Sequence, residues 1–521
     1  VNGLFHLLRL ARAGFVFARE GVLGLIDPVL LPPGPRFLVR MGRLFERRNA
    51  GVGSVRLARA LARLGPSYVK LGQFLATRPD IVGAAIATDL ESLQDRMPPF
   101  SQRQAEAAVI EGLGKPIHEL FSSFGPPVAA ASIAQVHRAE IKGENGGSRS
   151  VAVKVLRPHI EYRFQSDLDT FFFAARLGEH YSAEGRRLRL VSTVETLART
   201  VAIEMDLRLE AAAFSELAQN TKDDPDFRVP DVDWARTGKR VLTIEWVDGI
   251  SLSDRAKLSA AGFDFKHLAR VVIQSFLRQA LRDGFFHADM HPGNLFVDPA
   301  GNLVAVDCGI MGRLGPKERR FLAEILHGFI VGDWRRTAEV HFEAGYVPSH
   351  HSVDDFAQAI RAIGEPIRKR PASEISMAKL LTLLFEVTAI FDMKTRPELL
   401  LLQKTMVVVE GVARSLDPHF DMWATADPVV REWIERNLGP AGRIENAAQE
   451  LGSLGRLIGT APSLLSRAAE TFQRLDEQTK DGLVLSPETV AAIGESKRRG
   501  RAWATAALWL IALLIAIWVF R

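Results

Sequence analysis

The sequence predicts an α+β fold: a helical extension over residues 1–115, a two-lobed body split at 116–247 and 248–435, an amphipathic tail over 436–500 and a transmembrane helix over 501–521. Three observations predict it. Short β-branched runs such as Val151-Ala152-Val153-Lys154-Val155-Leu156 and Val241-Leu242-Thr243-Ile244 are bounded by turn residues and read as strands. Two more apolar runs, Leu295-Phe296-Val297 and Leu303-Val304-Ala305-Val306, flank the turn Asp298-Pro299-Ala300-Gly301-Asn302 and read as a hairpin. Around them, longer stretches repeat apolar residues at helical spacing.

Composition bounds the function. A chain of 521 residues is too long for one compact core, so two or three packed units are expected. Hydrophobic content of 47% and charged content of 24% are ordinary for a globular protein. A formal charge of +5 is small for this length and gives no footing for a nucleic-acid partner. A lysine- and arginine-rich surface beside a membrane fits it better. The single cysteine, Cys308, excludes an intrachain disulfide and fits a reducing compartment. No secretory signal with a cleavage site stands near the start.

In order, residues 1 to about 60 are basic, apolar and helical in pattern, with Arg9, Arg12, Arg19, Arg36, Arg40, Arg43, Arg47 and Arg48. Pro28, Pro32, Pro33 and Pro35 interrupt them. The segment reads either as a helix on an anionic membrane surface or as the solvated face of a packed helix pair. Between Leu64 and Asp80, Pro66 suits a first helical turn and Pro79 an end. Lys70 and Gln73 share a helical face, and Gly72 between them would let another backbone approach. A short helix is expected over residues 100–114.

The chain then turns to β. Phe124 to Ile141 reads as strand, small-residue loop (Ala129-Ala130-Ala131-Ser132) and strand, and the strand bearing Lys154 follows. Alanine is small enough to approach a phosphate but disfavours positive φ, so this loop is expected to be stiffer than a glycine-rich one. A helix is predicted through Glu204-Met205-Asp206-Leu207-Arg208-Leu209-Glu210, with Asp206 and Glu210 on one face and Glu204 elsewhere. Two acids on one face call for a cation, and Lys154 and Lys70 are the candidates. Val241 to Gly249 is a buried strand breaking into a turn, residues 265–283 an amphipathic helix, and the remainder to about 435 helical. From Ala502 to Phe520 the chain is apolar and uncharged, meeting the roughly 20-residue requirement of a membrane span. Trp503 and Trp518 would anchor its ends, and Lys497, Arg498, Arg499 and Arg501 before it place the body in the cytoplasm.

The chemistry gathers in Phe285-Phe286-His287-Ala288-Asp289-Met290-His291-Pro292-Gly293-Asn294 and in Val306-Asp307-Cys308-Gly309. Asp289 and Asn294 are five residues apart, the spacing of the protein-kinase catalytic loop, whose Asp serves the nucleophile and whose Asn ligates magnesium. Asp307 follows Asn294 by 13 residues, and the hairpin between them returns a second acid to the same metal. Carboxylate and amide oxygens are the hard ligands that magnesium prefers. His287, Asp289 and His291 also read as a metal-hydrolase cluster or a polar turn. The spaced second acid favours phosphotransferase chemistry. Val-Ala-Val-Lys ending at Lys154 matches the kinase strand whose lysine pairs with nucleotide phosphates and a helix glutamate.

Together these residues resemble the UbiB (ABC1/ADCK) family of atypical protein-kinase-like proteins over almost the whole chain. Lys70-Leu71-Gly72-Gln73 matches its K-x-G-Q signature, Ala129 to Gln135 its alanine-rich loop, Glu204-Met205-Asp206 its E-x-D, and His287 to Asn294 its catalytic loop. The resemblance implies a two-lobed protein-kinase-like fold with a helical K-x-G-Q extension. It implies ATP and Mg2+ as cofactors, with Asp289 as proton acceptor and Asn294 and Asp307 holding the metal. Nucleotide contacts fall to Ala130, Ala131, Ser132, Ile133, Ala134, Gln135, Val136 and Lys154, with Glu210 as the partner of Lys154 and Glu245 and Val247 at the adenine hinge. Lys70, Gln73, Glu204 and Asp206 become a regulatory cover, the two acids facing Lys70, over the place where a peptide substrate would lie. That cover implies ATPase or small-molecule kinase activity in support of ubiquinone biosynthesis. Implied partners are membrane lipid, polyprenyl phenol or quinone intermediates and other enzymes of that pathway, at the cell inner membrane.

An older label for such proteins, 2-polyprenylphenol 6-hydroxylase, conflicts with the residues, since nothing here would bind flavin or hold redox iron. A soluble kinase of the aminoglycoside or choline type shares the catalytic loop but lacks the K-x-G-Q segment and the anchor. A lipid-binding scaffold without catalysis is the rival from another class. The chain departs from the pattern in Cys308, which replaces the phenylalanine of D-F-G, and in carrying one apolar span where similar bacterial proteins carry two.

Overall fold

In the computed structural model the described residues are 2–25, 39–46, 53–76, 97–143, 147–368 and 397–439, with 78–82, 86, 89–90, 93, 387 and 390–393 between them. Contacts divide the chain into Val1–Ile434 and Glu435–Arg521. The amphipathic tail from residue 440 and the apolar span expected over 501–521 lie outside the described residues. Among those described, no helix is long and apolar enough to cross a membrane.

The extension is built from α1 (Asn2–Arg19), α2 (Gly53–Leu64) and α3 (Pro66–Ala76). Gly65, at φ +109, makes the bend between α2 and α3 in a conformation that side chains rarely adopt. Pro66 starts α3 as expected; Pro79 instead opens a further one-turn helix, Pro79–Val82, a use of proline at a first turn rather than as a stop. Gly72 admits side chains and not a backbone: a Cβ there would lie 2.6 Å from Leu61 Cδ1 and 2.9 Å from Leu93 Cδ2.

The first lobe is an antiparallel sheet in the order β1-β2-β3-β5. Its strands are β1 (Ser123–Ala130), β2 (Ala134–Lys142), β3 (Ser148–Leu156) and β5 (Val241–Glu245). Alternation along β3 decides which face does what. Val151, Val153 and Val155 are fully buried, packed with Val109 of α4 (Gln102–Leu113). Lys154, one residue out of phase, points to the other face, which looks into the cleft. Helix α4 begins with a complete capping box, Ser101 with Gln104, and ends at Gly114 in the left-handed region.

The helices that follow include α5 (Ile160–Tyr181), α6 (Leu190–Glu204) and α7 (Leu207–Asn220). The single helix expected through Glu204 and Glu210 is in fact two. Glu204 is the last residue of α6 and Asp206 is the N-cap of α7, accepting from Arg208 N–H. Aspartate is a strong N-cap and a poor interior residue, so it starts a helix where periodicity alone continued one.

In the second lobe α8 (Phe265–Arg278) runs into a π-turn, Gln279–Asp283, that stops at Gly284. Strand β7 (Phe285–His287) pairs with β10 (Met311–Arg313), and the predicted hairpin appears as β8 (Leu295–Val297) and β9 (Leu303–Ala305). Strands β4 (Phe227–Arg228) and β6 (Ile250–Ser251) flank it, giving the order β4-β9-β8-β6. Helices α9 (Pro316–Val331), α10 (Trp334–Glu343), α11 (Val353–Arg368), α12 (Pro397–Leu416) and α13 (Met422–Leu438) complete the lobe. One continuous core joins extension and lobes, from Leu61 and Val69 through Phe164 and Phe214 to Phe276, Leu295 and Val409.

Candidate active site

The cleft between the lobes gathers residues from four separate stretches. Lys154 Nζ donates to Glu210 Oε1 at 2.7 Å and to Asp307 Oδ2 at 3.1 Å. Glu210 is placed by the first turn of α7, and Asp307 by the end of β9, so one ammonium joins the two lobes. Burial works against the charge of Lys154, and Asp307 and Glu210 outweigh it, so its pKa rises and it stays a cation. Burial also opposes the charge on Asp307, but Lys154 and the Gly309 N–H, 2.8 Å from Oδ1, hold its carboxyl down to about 2. Burial pushes the Glu210 carboxyl up against the pull of Lys154.

Across the cleft, Asn294 Nδ2 donates at 3.1 Å both to Asp289 Oδ2 and to its backbone oxygen. Two acceptors fix the amide orientation, which turns Asn294 Oδ1 away from Asp289 as a free oxygen donor for a cation. The loop is braced from behind. His287 N–H donates to Gln279 Oε1 at 3.0 Å, and Asp289 N–H to His287 Nδ1 at 3.1 Å. An Nδ1 that accepts leaves the ring proton on Nε2. Burial keeps this imidazole neutral by lowering its pKa, against the pull of Asp289 and Asp307. From α12, the Thr405 hydroxyl donates to Ala288 O at 3.1 Å. His291 is exposed and its Nδ1 accepts from Gly293 N–H, which turns it into the loop and not toward a shared metal with His287.

The other expected residues divide. Lys70 Nζ lies 2.7 Å from Glu204 Oε2, and Glu204 is near enough to Glu210 to raise it, so the K-x-G-Q pair sits beside the Lys154 pair. Gln73 is half-buried on the same helix. Asp206 does not face Lys70: Arg208 takes its carboxylate at 2.6 and 2.9 Å, because the N-cap position holds the side chain back over its own helix. Ala130, Ala131, Ser132, Ile133 and Ala134 form the β1–β2 turn, closed by Ala131 N–H to Ala134 O at 2.8 Å, and Val136 lies opposite Lys154 on β2. Gln135 is different. Its buried side chain turns away from the cleft and bonds the Phe100 backbone and His137. At the hinge, Arg228 holds the Glu245 carboxylate at 3.1 Å and the Asp298 carboxylate at 3.0 Å, and Glu245 N–H donates to Asp231 O at 2.8 Å; Val247 lies just beyond, half-buried. Cys308 is buried and its thiol is pushed well up, so it packs as a small apolar group. Gln279, Thr405 and Arg157 were not singled out by the sequence. A buried glutamine in the last turn before a catalytic loop is the one signal that could have found the first.

The family model of the ABC1 atypical kinase-like domain matches residues 92–341, and that of the UbiB helical domain matches residues 360–421, the stretch that carries Thr405. A protein named "Probable protein kinase UbiB" from Marinobacter nauticus is 41% identical over 455 residues, spanning 86% of this chain and 82% of its own length. A protein of the same name from Azotobacter vinelandii is 40% identical over 481 residues, 89% of this chain and 88% of that one.

Proposed function

The chain belongs to the UbiB family of ABC1 atypical kinase-like proteins, and from that premise we propose that it binds ATP with Mg2+ in this cleft and acts as an atypical kinase or ATPase in support of ubiquinone biosynthesis. The observation that carries the reading is the Lys154 ammonium held between Glu210 and Asp307, with Asn294 locked to Asp289 across from it. The donor set fits the cofactor. Asp307 and the Asn294 amide offer hard oxygens for the metal, and Lys154 offers a fixed positive charge for phosphate. Bound there, MgATP would supply the phosphoryl group and the charge neutralisation for its transfer. The chain's own part is positional. Asp289 is aimed by two bonds accepted from Asn294 and one that its own N–H gives to His287 Nδ1, and so stands ready to take a proton from a hydroxyl or water. Glu210 keeps the Lys154 ammonium extended, and the neutral His287 keeps a second positive charge out of the site.

The partners proposed are polyprenyl phenol or quinone intermediates, membrane lipid and other enzymes of the pathway, at the inner membrane. Support for the membrane comes from α1. Leu4, Phe5, Leu8 and Phe15 are exposed on it among arginines, while Ala13 and Ala18 bury its other face. The test is ATP turnover by the purified full chain with and without magnesium, polyprenyl phenol and anionic vesicles. Magnesium-dependent hydrolysis that Asp289→Asn abolishes is expected. Failure to bind ATP under all of these conditions would sink the reading.

A further inference from the structure

The alanine turn is strapped from outside by the segment that leads into α4. Met97 N–H donates to Ala130 O at 3.3 Å, and Phe100 N–H donates to Gln135 Oε1 at 2.9 Å. Gln135 Nε2 returns a bond to Phe100 O at 3.3 Å. Arg157, the residue after β3, closes the arrangement. Its Nε and Nη2 both donate to Ala131 O, at 3.1 and 2.7 Å, and Nη2 also reaches Pro98 O at 3.0 Å. Its backbone N–H donates to Ile133 O at 2.8 Å, and its guanidinium lies 5.6 Å from the centre of the Phe100 ring. One side chain therefore holds strap and turn together.

The consequence follows from peptide geometry. A carbonyl and the next amide point in opposite directions across a planar peptide, so fixing Ala131 O on the guanidinium also fixes where Ser132 N–H points. A turn that closes on a phosphate must rotate its peptides until the amides converge. A charged fork on the carbonyl resists that rotation more than a neutral bond would. The strap in turn begins four residues after Leu93, whose side chain packs at Gly72 in the K-x-G-Q helix. We propose that Arg157 is a positioning residue that couples the helical extension to the nucleotide turn: while the strap is docked the turn keeps its present peptide orientation, and release of the strap frees it to close on a triphosphate. This rests on the ATP reading above for its ligand, and on the Arg157, Gln135 and Met97 hydrogen bonds alone for the tie.

The test compares the full chain with Arg157→Lys, which keeps the charge and loses the fork, and with Arg157→Gln. Amide hydrogen exchange is followed over 97–100 and 130–135, and MgATP affinity is measured by calorimetry. Both variants are expected to speed exchange in the two segments together and to tighten ATP about three- to tenfold. Ala131→Gly added to Arg157→Gln should then tighten it less than Ala131→Gly alone. A brace that merely pre-forms the turn predicts weaker binding in both variants, and that result, or an unchanged affinity, would overturn the coupling. Failure of the unaltered chain to bind ATP would count against the site reading. The tie is judged separately by exchange, and segments that exchange independently would overturn it.

Discussion

Asp307 has two competing calls on one carboxylate. It is held by Lys154 at 3.1 Å and by Gly309 N–H, and a cation that used it would have to share those bonds. Asp307→Asn keeps the shape, removes the charge and leaves Lys154 paired with Glu210. Its carboxylate is 41% exposed, so the loss of that ion pair should move the unliganded Tm by only a few degrees. The stabilisation that MgATP adds scales with its affinity and should fall away, with binding weaker by about tenfold or more. A thermal-shift titration of ATP with and without magnesium reads this directly, and an unchanged magnesium dependence would remove Asp307 from the site. Asp289, Asn294 and Asp307 were legible from the sequence because a loop and a hairpin fix their spacing along the chain. Arg157, Gln279 and Thr405 were not, because each acts through hydrogen bonds to backbone groups that only tertiary packing brings near. Asp206 was misplaced because a helical wheel assumes a helix, and aspartate had ended one and begun another.

The element that separates this fold from a bare kinase body is the K-x-G-Q helix α3. It packs against α2, α5 and α6, and its lysine meets the last residue of α6. Lys70 and Glu204 are each 14% exposed, so removing Lys70 leaves a mostly buried carboxylate without its ion pair, and removing Glu204 takes one partner from a mostly buried ammonium. Lys70→Ala is expected to cost about 1–3 kcal/mol of stability, and Glu204→Gln somewhat less because the amide still accepts a bond. Measured as a double-mutant cycle in denaturant, the two should show a coupling of about 1 kcal/mol or more. Glu204 also raises Glu210, so Lys70→Ala should additionally shift ATP affinity, whereas Glu204→Gln removes that influence at its source. Additive costs with unchanged affinity would leave Lys70 as a packing residue with no hold on the site. The order of elements was legible because strand and helix runs differ in period, and β3 could be oriented from Val151, Val153 and Val155 alone. The π-turn at Gln279, the strand β10 and the break at Met205 were not, since each breaks the period on which the reading depends.

At the scale of the whole molecule, folding takes three histidines largely out of water, His137 and His287 buried and His341 half-buried. His137 gives its Nδ1 proton to Gly125 O at 2.8 Å, His341 gives its own to Thr337 O at 2.8 Å, and His287 sits behind the catalytic loop. Burial lowers the pKa of all three below the ordinary 6.5. The sign follows from proton counting. Above pH 6.5 folded and unfolded chains both hold these rings neutral, so their contribution is fully present. Below it the unfolded chain takes up protons that the folded one refuses, and stability falls until the folded values are reached. Each ring contributes at most about 1.4 kcal/mol per pH unit, so the three together approach about 4. Asp307 does not confuse this window, because its pKa is depressed and its own loss begins only as pH falls below 3.8. Tm should therefore hold steady from pH 8 to 7 and drop steeply from 6.5 to 5.5. His341→Gln, on α10 and outside the catalytic loop, keeps a donor for Thr337 O and should remove about a third of the slope while leaving ATP affinity at pH 7.5 unchanged. A Tm profile flat across pH 6.5 to 5.5, or a slope that His341→Gln leaves intact, would show that these rings already have their protons in the folded chain.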